Sequence, residues 1–272
     1  MLHSIVRRRL GRLLGAGGLL FAGMAVAEPL TPLTEPPPDA AISIIIDDLG
    51  NLKRRDLRAI RLPWPLTYAF LPHTPHAREL ATLAHRLGKE VMLHLPMEAM
   101  EHNALGPGGL TLGMTHEDFL RALRRDLSAV PYIRGVNNHM GSLLTQNTAR
   151  MHWLMQELGT RDDLFFVDSY TTATSVAVQA ANENWVPNIR RDVFLDSERD
   201  PARIRAQLQR LVDMAREHGI ALGIGHPYPE TLSVLQQELP RLSARGIEIL
   251  PVSRLLDQHM QRFRTWRAFL SP

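Results

Sequence analysis

The sequence predicts a single α/β domain in which parallel strands alternate with helices, and three observations support this prediction. Eight short apolar runs recur from residue 40 onward, and several are apolar throughout, as expected for strands buried on both faces of a sheet. The segments between them carry apolar residues at helical spacing. No composition shift or internal repeat divides the region from 40 to 258, which is long enough to form one core.

The candidate strands, in chain order, are 42–46, 66–71, 90–95, 133–137, 164–167, 186–189, 220–224 and 247–250. One helical stripe consists of Phe119, Leu120, Leu123, Leu127 and Val130, and a second of Ile204, Leu208, Leu211, Val212 and Ala215. Asp200 is predicted to be the N-cap of the second helix, with Pro201 in its first turn, and Gly219 and Gly246 are predicted to end helices. This pattern allows a closed barrel or an open doubly wound sheet. In both folds, functional groups gather at the carboxyl ends of the strands.

The two ends of the chain are predicted to lie outside this domain. Residues 1–27 carry four arginines and no acidic residue, then an apolar run at 13–24 and the small-x-small pattern Ala25-Val26-Ala27. This order predicts a signal peptide, with an uncleaved anchor as the alternative. Residues 28–39 contain five prolines and are predicted to be an extended linker, and 259–272 a C-terminal tail. We therefore expect a protein secreted across the inner membrane to the periplasm.

The charge balance and the lack of cysteine exclude several classes of protein. The whole chain has 31 Lys and Arg against 28 Asp and Glu, but residues 28–272 have 27 against 28. This balance argues against a nucleic-acid partner, and no stable membrane anchor is expected after cleavage of the signal peptide. The protein partners are left open. The absence of cysteine excludes disulfides, thiolate metal sites and a cysteine nucleophile.

Polar side chains recur at the ends of the candidate strands. Asp47 and Asp48 follow the first strand, His94 ends the third, His139 follows the fourth and His226 follows the seventh. Each has a structural alternative as a cap or a hydrogen-bonded core residue. Their recurrence at one end of successive strands directs them to a common mouth. Carboxylates and neutral imidazoles are ligands that suit zinc, so the set fits metal-assisted hydrolysis, although the spacing alone assigns no roles.

Five segments together resemble the divergent polysaccharide deacetylases, which are relatives of the carbohydrate esterases that remove acetyl groups from cell-wall sugars. The segments are IIIDDLG at 44–50, HLPME at 94–98, NNHMGS at 137–142, FVDS at 166–169 and GIGHP at 223–227. The resemblance implies a deformed (β/α) barrel of about seven strands. It also implies a divalent metal, usually zinc, and an acetylated sugar or glycan as substrate.

The resemblance also implies roles for individual residues. Asp47 matches the catalytic base, Asp48 the metal-binding acid, His94 the first histidine of a metal-binding pair, and His226 the general acid. The second histidine of that pair would stand four residues after the first, where this chain has Glu98. We therefore expect His139 to complete the metal site. Glu98 is expected to be an alternative ligand or to hydrogen-bond one.

Further residues carry predictions with open alternatives. Asp168 is predicted to orient a catalytic group, or else to cap the turn at 169–172. Arg191 is predicted to hold the base carboxylate in its charged form, or else to form a surface salt bridge. His73 and His76 are candidates for lining the substrate groove. The remaining aromatic and imidazole side chains are expected to be solvated, capping or core residues: His85, His116, His152, His218, His259, Trp153 and Trp185.

The sequence thus predicts an exported metal-dependent hydrolase that deacetylates an envelope glycan. The alternative is a metal-binding or glycan-binding envelope protein with little catalysis.

Overall fold

The computed structural model describes residues 40–101, 104–161 and 163–270, with side chains through residue 261. Its strands are β1 Ala41–Leu49, β2 Thr67–Phe70, β3 Glu90–Met97, β4 Ile133–Met140, β5 Phe165–Asp168, β6 Asn188–Arg190, β7 Val193–Phe194, β8 Ile220–Gly225 and β9 Glu248–Ile249. Its helices are α1 Lys53–Ile60, α2 Ala77–Arg86, α3 His116–Ala129, α4 Thr148–Gly159, α5 Ala177–Glu183, α6 Pro201–His218, α7 Pro229–Ala244 and α8 Val252–Leu270.

The strands form one parallel sheet that matches the predicted deformed barrel. Their order is β6-β5-β4-β3-β2-β1-β8-β7, and β9 pairs with β1 beside this path. The end strands β6 and β7 are not paired with each other, so the barrel has a seam there. All eight candidate strands form, and the sequence analysis missed only β7, which has two residues and gives no periodic signal. Because the paired strands run parallel, their carboxyl ends share one mouth.

The strands are apolar throughout because their two faces enter two separate apolar clusters. In β1, Ile44 and Ile46 enter the larger cluster, which packs against the surrounding helices, whereas Ile45 enters the smaller one. The first turns of α8 contribute buried Val252 and Leu255 to the smaller cluster. The backbone N–H of Val252 donates to Thr67 Oγ1 at the amino end of β2, at 3.1 Å. The helix therefore covers the sheet at the end opposite the mouth.

The predicted helix ends are confirmed. Asp200 Oδ1 accepts hydrogen bonds from the backbone N–H groups of Ala202 and Arg203, at 3.0 and 2.9 Å, and Pro201 begins α6. Gly219 ends α6 in the left-handed conformation, with φ +85°. Helix α8 continues to Leu270, so most of the segment that was set apart as a tail at 259–272 is helical. Within the described residues, no helix combines the length and apolarity needed to cross a bilayer.

A sharp turn after β1 fixes the direction of its two terminal aspartates. Asp48 has a positive φ of +60°, and Gly50 has a φ of +117°. The Gly50 N–H donates to Asp56 Oδ2 at 2.8 Å, and a Cβ at this position would overlap the Thr74 hydroxyl. The turn therefore requires glycine for two reasons, its backbone angle and the space beside it.

We expect Gly50→Ala to destabilise the protein by about 3 kcal/mol, because it combines an unfavourable backbone angle with a steric overlap. Gly88→Ala is the matched control, since Gly88 also has a positive φ, +71°, but a Cβ there meets no atom within 4 Å. Its expected cost is about 1 kcal/mol. Urea unfolding of both variants measures the difference, and equal losses would contradict the steric part of the argument.

Candidate metal centre

Three predicted ligands meet at the mouth of the barrel. His94 Nε2 lies 3.3 Å from Asp48 Oδ1, and His139 Nδ1 lies 3.1 Å from the same oxygen. The two imidazole nitrogens are 3.1 Å apart. These side chains come from the carboxyl ends of β1, β3 and β4. Among the described residues, they form the one group of potential metal ligands whose atoms all lie within 4.8 Å of one another.

The donor types and their spacing fit a zinc ion. Tetrahedral zinc holds nitrogen and oxygen ligands at roughly 2.0–2.1 Å, which places the ligand atoms about 3.3 Å from one another. The three atoms here form a triangle of nearly that size. Asp48 Oδ1 is buried and accepts no hydrogen bond. A buried carboxylate oxygen without a donor is costly, and a cation among the three atoms would remove that cost.

The charges in the cluster stabilise one another. Burial alone would raise the pKa of Asp48, but the adjacent imidazoles of His139 and His94 outweigh it and hold that pKa well below its usual range. Burial alone would lower the pKa of His94. The negative charges of Asp47 and Asp48 reverse this effect and raise the pKa of His94 to about 9. The cluster is therefore suited to positive charge next to the Asp48 carboxylate.

The side-chain amide of Asn137 connects the predicted base to a predicted ligand. Its Nδ2 donates to both carboxylate oxygens of Asp47, at 2.9 and 3.1 Å, and its Oδ1 lies 2.9 Å from His94 Nδ1. Because the amide oxygen only accepts, His94 Nδ1 donates and its Nε2 keeps a lone pair facing the cluster. The sequence analysis noted Asn137 only as part of a strand-end motif. Its alternation with His139 along β4 was the available signal.

His226 is oriented by a partner that the sequence analysis did not assign, Asp196. The imidazole Nδ1 of His226 lies 2.9 Å from Asp196 Oδ1, and its backbone N–H donates to Oδ2 at 2.6 Å. The hydroxyl of Thr231 donates to the same Oδ2 at 2.7 Å. Because a carboxylate accepts hydrogen bonds, Nδ1 is the donor and Nε2 is free to face Asp48 Oδ2, 3.7 Å away. The position of Asp196 after the short strand β7 was its only sequence signal.

Two aromatic rings and two arginines surround His226. The ring of Phe194 lies edge-on to His226 at 5.5 Å between centroids, and Tyr228 stacks on it at 5.3 Å. The guanidinium carbon of Arg191 lies 5.1 Å from the Phe194 ring, and that of Arg199 lies 3.6 Å from the Tyr228 ring. On another side of the centre is a cavity of 370 Å³, lined by Asp48, Asn51, Leu52, Arg55, Leu71 and His139.

Glu98 does not belong to the ligand cluster. Its Oε2 accepts a hydrogen bond from the backbone N–H of Leu112 at 2.6 Å. Its own carbonyl accepts from the N–H groups of Leu143 and Leu144, at 3.1 and 3.0 Å. Glu98 therefore joins the loops that follow β3 and β4, and the structure places it in neither of the roles expected near the metal.

Asp168 and Arg191 stabilise the loop after β5. Asp168 accepts from the backbone N–H of Tyr170 at 2.8 Å and from the Ser175 hydroxyl at 2.7 Å, which is the turn-capping alternative. Arg191 donates to the carbonyls of Ser169 and Tyr170, at 2.6 and 3.0 Å. The charge of Asp47 acts on Arg191, although the described residues contain no ion pair between them within 4.0 Å. Both residues thus support the mouth through this loop.

The remaining candidates differ in their positions. His73 lines a groove of 770 Å³ against α3, and its Nε2 lies 2.7 Å from Asp126 Oδ1. His76 faces Glu79 at 3.9 Å and is not among the residues that line this groove. Trp153 packs against the core as expected. Trp185 was predicted to be core and is 92% exposed, because it lies in the turn after α5 with a positive φ of +58°.

The chain belongs to the divergent polysaccharide deacetylase family, whose pattern it matches over residues 44–256. The uncharacterised protein YibQ of Escherichia coli K12 is 39% identical over 229 residues, which cover 84% of this chain and 71% of that protein. An uncharacterised protein of Haemophilus influenzae is 35% identical over 201 residues, which cover 74% of this chain and 71% of that protein.

Two solved structures share the fold. The uncharacterised protein ATU2773 of Agrobacterium tumefaciens C58 superposes with a TM-score of 0.77 and 27% identity, over 80% of this chain and 89% of that one. The peptidoglycan deacetylase PdaC of Bacillus subtilis superposes with a TM-score of 0.51 and 12% identity, over 87% of this chain and 100% of that one. The likeness to PdaC shows the fold alone.

We expect Asp126→Asn to stabilise the protein at pH 7 but not at pH 4. Burial raises the pKa of Asp126 to about 6, even though His73 opposes this shift. A raised folded-state pKa favours the protonated form, so stability falls as the pH rises from about 4 to 6. The neutral amide removes this loss, and the expected gain above pH 6 is on the order of 2 kcal/mol. Urea unfolding of both proteins at the two pH values measures it, and an equal difference at both would contradict the assignment.

Proposed function

We propose that the protein is an exported, divalent-metal-dependent hydrolase that removes acetyl groups from an envelope glycan. The observation that carries this proposal is the convergence of Asp48, His94 and His139 beside Asp47 and His226. Membership of the divergent polysaccharide deacetylase family supports the reaction class and the glycan substrate. The export signal predicted in residues 1–27, which lie outside the described residues, supports the location.

Asp48, His94 and His139 are the residues that would hold the ion, and their nitrogen and oxygen donors favour zinc. When bound, such an ion supplies Lewis acidity, which acidifies water and polarises an acyl carbonyl. The protein contributes a rigid ligand set, since each ligand ends or follows a strand of the sheet. His94 is further fixed by its bond to Asn137.

Asp47 is the proposed general base. Its carboxylate is buried, and Oδ1 lies 3.7 Å from His94 Nδ1. Burial raises the pKa of Asp47, while His94, His226 and the hydrogen bond from Asn137 oppose the shift. A raised pKa improves a carboxylate as a proton acceptor near neutral pH. In the proposed reaction, Asp47 takes a proton from the attacking water while Asn137 holds the carboxylate in place.

His226 is the proposed general acid. Asp196 occupies its Nδ1, so the nitrogen that faces the centre is Nε2. Burial alone would lower the pKa of His226, but the hydrogen bond and charge of Asp196 outweigh it and raise that pKa. The imidazolium form can therefore donate a proton from Nε2 to the departing amine or alcohol of the sugar. The role of Asp196 is to position His226 and to stabilise its charge.

His139→Ala should abolish stoichiometric zinc binding, because it removes one of three ligands. His152→Ala is the control, since His152 lies on α4 and pairs with Glu183 at 2.9 Å. Zinc content after dialysis, measured by mass spectrometry, should fall to background in the first variant and match the native protein in the second. Full zinc occupancy in His139→Ala would disprove this ligand set.

Asp196→Asn should retain zinc and lower kcat for acetate release by at least tenfold, because the amide does not stabilise the charged imidazole as a carboxylate does. His226→Ala should retain zinc and lose turnover. Asp168→Asn is the matched control and should keep most of the activity, since Asp168 bonds only its own loop among the contacts described above. Release of acetate from acetylated peptidoglycan and chitooligosaccharides is the assay. No release by the folded, zinc-loaded native protein would contradict the proposed function and favour a binding protein.

A further inference from the structure

We propose that the substrate carries a carboxylate or a phosphate, and that Arg199 binds this anionic group beside the general acid. The inference rests on the proposed function, because it assigns the substrate class of the same site. It is carried by the placement of Arg199, whose guanidinium lies on Tyr228 with no carboxylate partner.

The guanidinium of Arg199 is held close to His226. Its central carbon lies 3.6 Å from the centroid of the Tyr228 ring, and that ring stacks on His226 at 5.3 Å. The two distances place the guanidinium within about 9 Å of the His226 ring. A substituent on the reacting sugar, or on the sugar next to it, can reach both side chains. Arg199 therefore lies where it can select among substrates.

The acids next to Arg199 in the sequence are occupied elsewhere. Glu198 lies 3.8 Å from Arg203, and Asp200 caps α6 through the N–H groups of Ala202 and Arg203. Within the described residues, the ion pairs of up to 4.0 Å include none to Arg199. A guanidinium near the mouth is thus left without a protein counter-ion, although an acid stands on each side of it in the chain.

The stacking on Tyr228 leaves the guanidinium available to a ligand. A guanidinium that lies on a ring uses its flat face, and the N–H groups at its edge stay free. Those groups match the paired oxygens of a carboxylate or phosphate, which they bind with two parallel hydrogen bonds. The ring also restricts the side chain beforehand, so less conformational entropy is lost on binding. A neutral acetylated sugar has no group that uses this arrangement.

Direct binding of three matched sugars to the zinc-loaded full-length protein tests the inference. N-acetylglucosamine is neutral, N-acetylmuramic acid adds a carboxylate, and N-acetylglucosamine 6-phosphate adds a phosphate. We expect one of the two acidic sugars to bind about five- to tenfold more tightly than the neutral one, and its identity distinguishes carboxylate from phosphate. Arg199→Gln should remove this preference, and Arg199→Lys should keep only part of it.

Arg203→Gln is the matched control, because Arg203 is an equally charged neighbour that pairs with Glu198. It should leave the preference unchanged, and thermal unfolding of each variant verifies the fold. Equal binding of all three sugars by the native protein, or a preference that survives in Arg199→Gln, would overturn the inference.

Acetate release from the same three sugars separates this inference from the proposed function. Equal release from all three would support the hydrolase and overturn the role of Arg199. A binding preference that disappears in Arg199→Gln, with no acetate released from any sugar, would support Arg199 and contradict the hydrolase.

Discussion

The arrangement of the mouth depends on one side-chain amide, that of Asn137 in β4. It donates to Asp47 in β1 and accepts from His94 in β3, so it connects three strands within the barrel. This single group orients the carboxylate of the base and fixes the protonated nitrogen of a ligand. An aspartate at this position would place a second buried negative charge beside Asp47, and an alanine would leave two buried polar groups without partners.

The mouth concentrates acidic groups that the fold must compensate individually. Asp47, Asp168 and Asp196 are all buried there, and Asp48 is partly buried. Asp168 and Asp196 are satisfied by backbone and hydroxyl donors in their own neighbourhoods. Asp47 and Asp48 are compensated chiefly by imidazoles and an amide, and Oδ1 of Asp48 still accepts no hydrogen bond. The electrostatic balance of the site is therefore completed by a cation and not by the protein alone.

The sequence analysis found the parts of the protein that depend on local pattern. The strands, the cap at Asp200 and the convergence of Asp48, His94 and His139 follow from apolar periodicity and from the rule that parallel strands end at one mouth. Asp196 was not assigned because its partner lies 30 residues away and β7 is too short to mark it. Trp185 was misjudged because composition favours a buried tryptophan, whereas its turn directs it outward. Contacts between distant loops leave no periodic trace in a sequence.

The replacement of a local histidine pair by ligands from three strands changes how an ion would affect the whole molecule. Two histidines four residues apart stay close together even in an unfolded chain, so such a chain retains some affinity for the ion. Asp48, His94 and His139 are separated by 46 and 45 positions and come together only when β1, β3 and β4 are aligned. The unfolded chain would bind the ion poorly, so nearly the full binding free energy would stabilise the native state. The centre would thus act as a crosslink across the barrel, with chelation loosening the fold as well as emptying the site.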